Sequence, residues 1–280
     1  MAVRKKRSYI IGLIVFAAAL LLSVPARAAG PSGDEDAVIG RCETLLRACD
    51  PMGHTNIESG FGNLMADAMR QWSGADIALV PSGDLGNHLQ SGDIRMSDLQ
   101  DCLRNNSVLA VTDMTAAQLW EALEHSISHY TLFEDQTVDW EHTEFEGFLQ
   151  VSGLHVTYNV TAPAGERIMQ LTLDDGRVLS RTDTETVLSV VSTEPVLSGA
   201  YGYPKFSDYS VTGDEWAAAR SYIQTLGTVR SPEDGGRIEI CGARVLLAGF
   251  NARLIGGVVA AIGLLCVAAG QRRKMISENA

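Results

Sequence analysis

The sequence predicts an α+β or mixed α/β domain set between two apolar terminal segments. Three observations carry this expectation. Helix-period and strand-period stretches are interspersed without a regular βαβ repeat. Asp174-Asp175-Gly176 separates two apolar runs, 168–173 and 178–179, as a hairpin signal would. Of 280 residues, about 220 lie between the apolar ends, enough for one sizeable core.

Residues 1–28 read as a secretory signal peptide. Arg4, Lys5, Lys6 and Arg7 precede a long apolar run from Tyr9. Pro25-Ala26-Arg27-Ala28 then offers small residues at the positions a signal peptidase reads, with cleavage after Ala28. Residues 29–57 read as a linker that opens on Gly, Pro, Ser and acidic residues. A helix begins near Glu58. Ser59 can cap it, Leu64, Met65, Ala68, Met69 and Trp72 recur at three-to-four spacing, and Gly74 ends it. Residues 76–80 follow as a short buried strand, 81–93 as a Gly-rich loop and 107–111 as a second strand. Thr115 and Gln118 form a capping box. The helix they start has the apolar face Leu119, Trp120, Leu123, Ile127 and Tyr130.

Residues 130–146 are polar and acidic, an excursion from the core. Residues 148–160 alternate as a strand broken at Gly153, and 187–192 form another strand. The loop Gly199-Ala200-Tyr201-Gly202-Tyr203 comes next. Asp214 caps a last helix that runs to about Leu226, and 237–240 make a final short strand. The domain is thereby bounded at 58–241. Residues 245–270 read as a transmembrane helix whose uncharged part spans about 17 residues, the short end for a bilayer. Arg272, Arg273 and Lys274 in the tail 271–280 mark the cytoplasmic side. The expected protein is single-pass in the cell membrane, with its domain extracytoplasmic and its tail cytoplasmic.

Residues 29–253, between the signal peptide and the uncharged apolar run, hold 14 basic and 33 acidic residues, a net charge of −19. Bulk charge therefore excludes nucleic acid and anionic membrane surfaces as partners. Cys42, Cys49, Cys102 and Cys241 fall in a compartment that permits disulfides, and Cys42 and Cys49 are close enough in sequence to bridge. None shows CxxC spacing. The six histidines include no H-x-H pair. His125 and His129 share a helix face at i, i+4, a spacing that can bind metal, but no catalytic base accompanies them. Ser82, Asp84 and His88 carry triad letters within one loop, whereas triads assemble from distant segments. The sequence thus predicts no metal site, no catalytic residue and no cofactor.

ESGFGNLMADAMR, starting at Glu58, resembles the opening helix of the 5′-nucleotidase C-terminal domain family, E-S-N-L-G-N-L-I-A-D-A-M-R. ADIALV, SGDIRMSDL, VTDMTAAQLWEALEHSIS and FLQVSGLHVTYNVTAPAGERIMQLTL are similar to the family's next blocks, in order, as far as about Phe206. The resemblance implies a layered α/β/β/α sandwich. In complete enzymes of the family this domain grips the nucleoside, while a preceding metallophosphatase domain hydrolyses. The metallophosphatases use a Gly-Asn-His triplet on metal, so Gly86-Asn87-His88 sits in the wrong domain for that role.

The gripping residues depart from the family pattern. Its N-G-G-G-I-R loop reads Pro81-Ser82-Gly83-Asp84-Leu85-Gly86, so its arginine is Gly86. A guanidinium can clamp a polar ligand with two hydrogen bonds, and glycine offers none. Its P-F-G-N segment reads Leu103-Arg104-Asn105-Asn106, and its second stacking ring falls on Pro195. The residues left to form an altered binding site are Ser82, Asp84, Arg104, Asn106, Tyr201 and Tyr203. A nucleoside or nucleotide is the implied ligand, and a separate metallophosphatase-domain protein the implied partner. The expected role is a hydrolase-related accessory of nucleotide catabolism without hydrolysis of its own. The alternative is a non-enzymatic surface module with a degenerate nucleotide pocket.

Overall fold

A computed structural model describes residues 37–230 and 236–243; the expected signal peptide, transmembrane helix and tail lie outside them. Among the described residues no helix is long and apolar enough to cross a membrane. The helices are α1 (Gly60–Ser73), α2 (Met96–Cys102), α3 (Ala116–Ile127), α4 (Trp140–Thr143), α5 (Glu194–Leu197) and α6 (Glu215–Leu226). The strands are β1 (Val38–Cys42), β2 (Ile77–Pro81), β3 (Gly92–Arg95), β4 (Val108–Thr115), β5 (Leu149–Ser152), β6 (Leu154–Asn159), β7 (Ile168–Leu173), β8 (Val187–Thr193), β9 (Ser210–Asp214), β10 (Thr228–Val229) and β11 (Ile238–Cys241). They form a five-stranded sheet in the order β5-β2-β8-β4-β9 and two three-stranded sheets, β11-β6-β7 and β10-β1-β3.

The large sheet is mixed: β2 and β8 run parallel and their other neighbours antiparallel. Every residue of β2 is buried, because both faces of the sheet are covered. Ile77 and Leu79 enter a core shared with α3, β6 and β7. Ala78 and Val80, pointing the other way, enter a core shared with α1, α6, β1 and β3. The helix starts obey local chemistry. Ser59 accepts from the Gly62 N–H, Thr115 and Gln118 exchange both bonds of a capping box, and Asp214 accepts from the Ala217 N–H.

The strand expected at 148–160 is two strands in two different sheets, joined at Gly153. This residue sits at φ +90°, and a Cβ there would lie 2.2 Å from the Asp76 carbonyl oxygen. Only glycine fits such a turn against backbone. The polar residues of β5 face α1. Gln150, fully buried, accepts the Ser59 N–H at 2.9 Å and donates to the Ile57 carbonyl at 2.7 Å. Ser152 donates to Asp67 at 2.6 Å. Arg237 grips Asp67 with two bonds of 2.8 and 2.9 Å, and Glu58 accepts the N–H groups of Arg237 and Ile238 at 3.0 Å each. The far end of α3 is closed by the buried Arg167 guanidinium, which donates to the Ile127, Ser128 and Tyr130 carbonyls.

The expected linker 29–57 is corrected from Val38 onward. There β1 pairs antiparallel with β3 and parallel with β10. Cys42, Leu46 and Ala48 are buried. Gly40 read as linker composition, yet it lets β1 approach α6: a Cβ there would meet Ile223 at 2.5 Å. Cys42 and Cys49 do not bridge; both are free thiols. The excursion 130–146 is tied down by Asn56, which donates to the Thr143 carbonyl at 2.9 Å and accepts the Phe145 N–H at 3.1 Å. His54 stacks on Trp140 at 4.0 Å.

Gly153→Ala is expected to lower stability by about 2 kcal/mol or more, combining left-handed strain with a backbone clash. Gly165→Ala provides the comparison: its φ of +86° is similar, but nothing lies near its Cβ position. It should cost about 1 kcal/mol. Equal losses in urea unfolding would refute the clash.

Candidate functional site

At the carboxyl end of β2 the chain bends into a single 3-10 turn, Ser82–Asp84, whose residues are all buried. Backbone bonds fix its position. The Ser82 N–H donates to the Phe148 carbonyl at 2.7 Å and the Gly83 N–H to the Glu146 carbonyl at 2.7 Å. The Arg104 N–H donates to the Asp84 carbonyl at 2.9 Å, and the Gly86 N–H to the Cys102 carbonyl at 2.8 Å. Gly83 has no room for a side chain, since a Cβ would lie 2.8 Å from that of Glu146 and 3.1 Å from the Tyr201 hydroxyl. Four of the expected residues, Ser82, Asp84, Arg104 and Tyr201, thus gather around Glu146.

Arg104 donates to Glu146 at 3.1 Å across a solvent-facing ion pair. Tyr201 adopts a left-handed conformation, φ 56°. Its carbonyl can only accept, so the 2.8 Å contact assigns the hydrogen to Nε2 of His125. Phe145 lies edge-on to Tyr201 and stacks on His129 at 4.0 Å. The i, i+4 histidines therefore brace an aromatic wall beside the site.

Two expected residues stand elsewhere. Tyr203 is buried and donates to the Gly147 carbonyl at 2.6 Å, serving the core. Asn106 is exposed and accepts the Trp216 N–H at 3.0 Å, at the head of α6. Pro195 is exposed at the start of α5. The triad letters have other partners: Ser82 faces the Glu146 carbonyl, and His88 accepts the Ala48 N–H at 3.1 Å. Asn87 donates to the Asp101 carbonyl at 2.9 Å, so the Gly-Asn-His triplet stitches its loop to neighbouring backbone. Among the described residues no group of three or more His, Cys, Asp or Glu is placed to hold a metal.

The site is electrically negative. Burial pushes the Asp84 carboxyl up; Glu146 adds to this, while Asn105, Ser107 and Arg104 pull it back. Glu215, fully enclosed, is pushed far up by burial and then by Asp84. The Tyr201 hydroxyl is raised by partial burial, with Asp84 and Glu146 adding. Asp84 and Glu146 thus face one guanidinium, that of Arg104, which is already paired with Glu146. Sequence reasoning missed Glu146, Phe145, Ser107 and Glu215. The first two lie in the acidic excursion directly before FLQVSG, the one local signal that could have pointed to them.

Comparison with known proteins gives a consistent result. The pattern of a family described as 5′-nucleotidase, C-terminal domain, matches residues 38–208. The chain is 26% identical over 194 residues to a trifunctional nucleotide phosphoesterase protein of Bacillus subtilis, covering 65% of this chain and 12% of that protein. It is 30% identical over 170 residues to a 5′-nucleotidase-related protein of Glossina morsitans morsitans, covering 55% of this chain and 29% of that one. A 5′-nucleotidase precursor from Thermus thermophilus superposes with a TM-score of 0.63 at 22% identity, over 84% of this chain and 43% of the other. That likeness shows a shared fold. The chain spans less than half the length of each of these relatives.

Tyr203→Phe strands a buried carbonyl and should cost about 1–2 kcal/mol. Arg104→Ala breaks only an exposed pair and should cost less than about 1 kcal/mol. Chemical unfolding of both variants checks the ranking; a larger loss for Arg104→Ala would mean that the pair is structural.

Proposed function

The chain belongs to the 5′-nucleotidase C-terminal domain family, and from this membership we propose that it is a membrane-anchored, extracytoplasmic accessory of nucleotide catabolism. In this reading it holds a nucleoside or nucleotide and performs no hydrolysis by itself. A separately encoded metallophosphatase-domain protein would supply the hydrolytic step. One observation carries the reading: the scaffold is kept while the gripping positions are exchanged. Gly86 stands where the resemblance expects an arginine, and Arg104 where it expects a ring. Arg104 and Tyr201 meet at Glu146, where a guanidinium plane and a phenol ring could take a base between them. The Ser82 hydroxyl faces the Glu146 backbone carbonyl, which cannot serve as a general base.

A second reading is a binding or interaction module whose pocket no longer takes a nucleotide. Asp84 and Glu146, set around one guanidinium that is already paired, favour it, because a phosphate-bearing ligand would meet repulsion there.

The full chain, assayed with nucleotides and divalent metal, is expected to release no phosphate above background. Thermal shift with nucleosides, nucleotides and nucleotide sugars should reveal a ligand, and Arg104→Ala should abolish the shift. Robust metal-dependent turnover would overturn the accessory reading. Absence of any shift would favour the interaction module. The membrane arm has its own check: a mature N-terminus at Ala29, and loss of membrane association when 245–280 is deleted.

A further inference from the structure

Beneath the site two acidic side chains are enclosed together. Glu215, the first residue of α6, is 0% exposed, and Asp84 in the 3-10 turn is 4% exposed. Both reach Ser107. Its N–H donates to Oε2 of Glu215 at 2.8 Å, and its hydroxyl lies 3.5 Å from Oδ2 of Asp84. Oε1 of Glu215 is buried without a hydrogen-bond partner. The same short segment, 104–107, is bonded to both elements: the Arg104 N–H to the Asp84 carbonyl, Asn106 to the Trp216 N–H, and the Ser107 carbonyl to the Glu215 N–H.

A count of hydrogens leads further. Ser107 has one hydroxyl hydrogen for two carboxyl groups; the Asn105 side chain gives Asp84 a further donor, and Oε1 of Glu215 has none. Two ionised carboxylates enclosed side by side would repel strongly with little water to screen them. We propose that Asp84 and Glu215 together hold one proton at neutral pH, and that this proton keeps the Ser82–Asp84 turn against the head of α6 by removing one of two like charges. Glu215 carries the proton, on the oxygen that otherwise has no partner, and Asp84 remains the anion. When the proton leaves, both groups are negative and the turn is pushed away from the helix.

The surrounding charges favour this arrangement. Asp214 stands beside Glu215 and disfavours its ionisation, as Asp84 does from the turn. Around Asp84 stand Arg104, which favours its anion, and Glu146, which opposes it; the Tyr201 hydroxyl also faces both carboxyl groups. Asp84 thus has the only nearby cation among these groups, and Glu215 has further acid. Burial raises both groups above their unfolded values. The folded state therefore keeps its proton to higher pH than the unfolded chain. The resulting stability is fully present below the ordinary carboxyl range and is lost as pH rises through the raised folded value.

The test is the pH dependence of unfolding of the full-length chain. In the wild type one such proton changes the unfolding constant by up to about tenfold per pH unit as pH rises from the ordinary carboxyl range toward the raised folded value. Glu215→Gln carries permanent hydrogens in place of the proton and should flatten that slope by about one proton. It should also be at least as stable as wild type at the alkaline end. An infrared spectrum of the wild type at neutral pH should contain a protonated-carboxyl stretch. Asp84→Asn should shift that band, and it provides a second variant if Glu215→Gln fails to fold. An unchanged slope in Glu215→Gln, or no protonated-carboxyl band at neutral pH, would overturn the proposal. So would a fall in unfolding temperature on chelation that calcium restores, because the pair would then hold a cation.

Discussion

The domain depends on how the first turns of α1 are held. Glu58, Ser59, Gly62 and Asp67 meet Gln150 and Ser152 of β5 and the backbone and guanidinium of Arg237. Each contact satisfies a polar group that burial would otherwise leave unmet. Gly62 makes this possible, since a Cβ there would lie 2.4 Å from the Gln150 side chain. Removing one partner strands the others, and a stranded buried group costs more than its bond contributes. The five-stranded sheet, its helix layer and the sheet of β6, β7 and β11 are therefore fixed to each other through one polar cluster. The apolar cores on either side fill the space this cluster defines.

This explains which parts of the family resemblance survive in the chain. Glu58, Gln150, Ser152, Gly153 and Arg167 belong to the quoted motifs, and each has a structural task here. The expected gripping positions differ from the family motif, and here Gly86 and Arg104 are used through their backbone N–H groups. Nothing in the fold required an arginine at Gly86. Near Arg104 the backbone is used and the side chain faces solvent.

Sequence reading reached what local chemistry decides. Ser59, Thr115 and Asp214 mark helix starts because their partners lie three residues away. Gly153 was visible as a break, but its change of sheet was not, because that depends on Asp76. β1, β3, β9 and β10 were missed: they are short, and their pairings are remote. At the site, Ser82, Asp84, Arg104 and Tyr201 come together, whereas Tyr203 and Asn106 stand apart, because a loop position does not say whether a side chain turns inward or caps a neighbour. Glu146 looked like one more solvated acid, and Glu215 like an ordinary first-turn residue favoured by the helix dipole. The pairing of Glu146 with Arg104 and the burial of Glu215 against Ser107 arise only when segments 42 and 108 residues apart close together.

Arg237 has one more consequence, in the order of assembly. Its bonds to Asp67 and those of its backbone to Glu58 join residues 170 and 179 positions apart. The helix that comes early in the chain is completed by a strand that comes last. As the chain emerges during synthesis, α1 and the large sheet can gather early, but the acidic residues at the helix head stay open to water until β11 arrives. Contacts of such long range slow folding. The domain therefore has no finished amino-terminal half to serve as a separate folding unit, and its closing step waits for nearly the whole described chain.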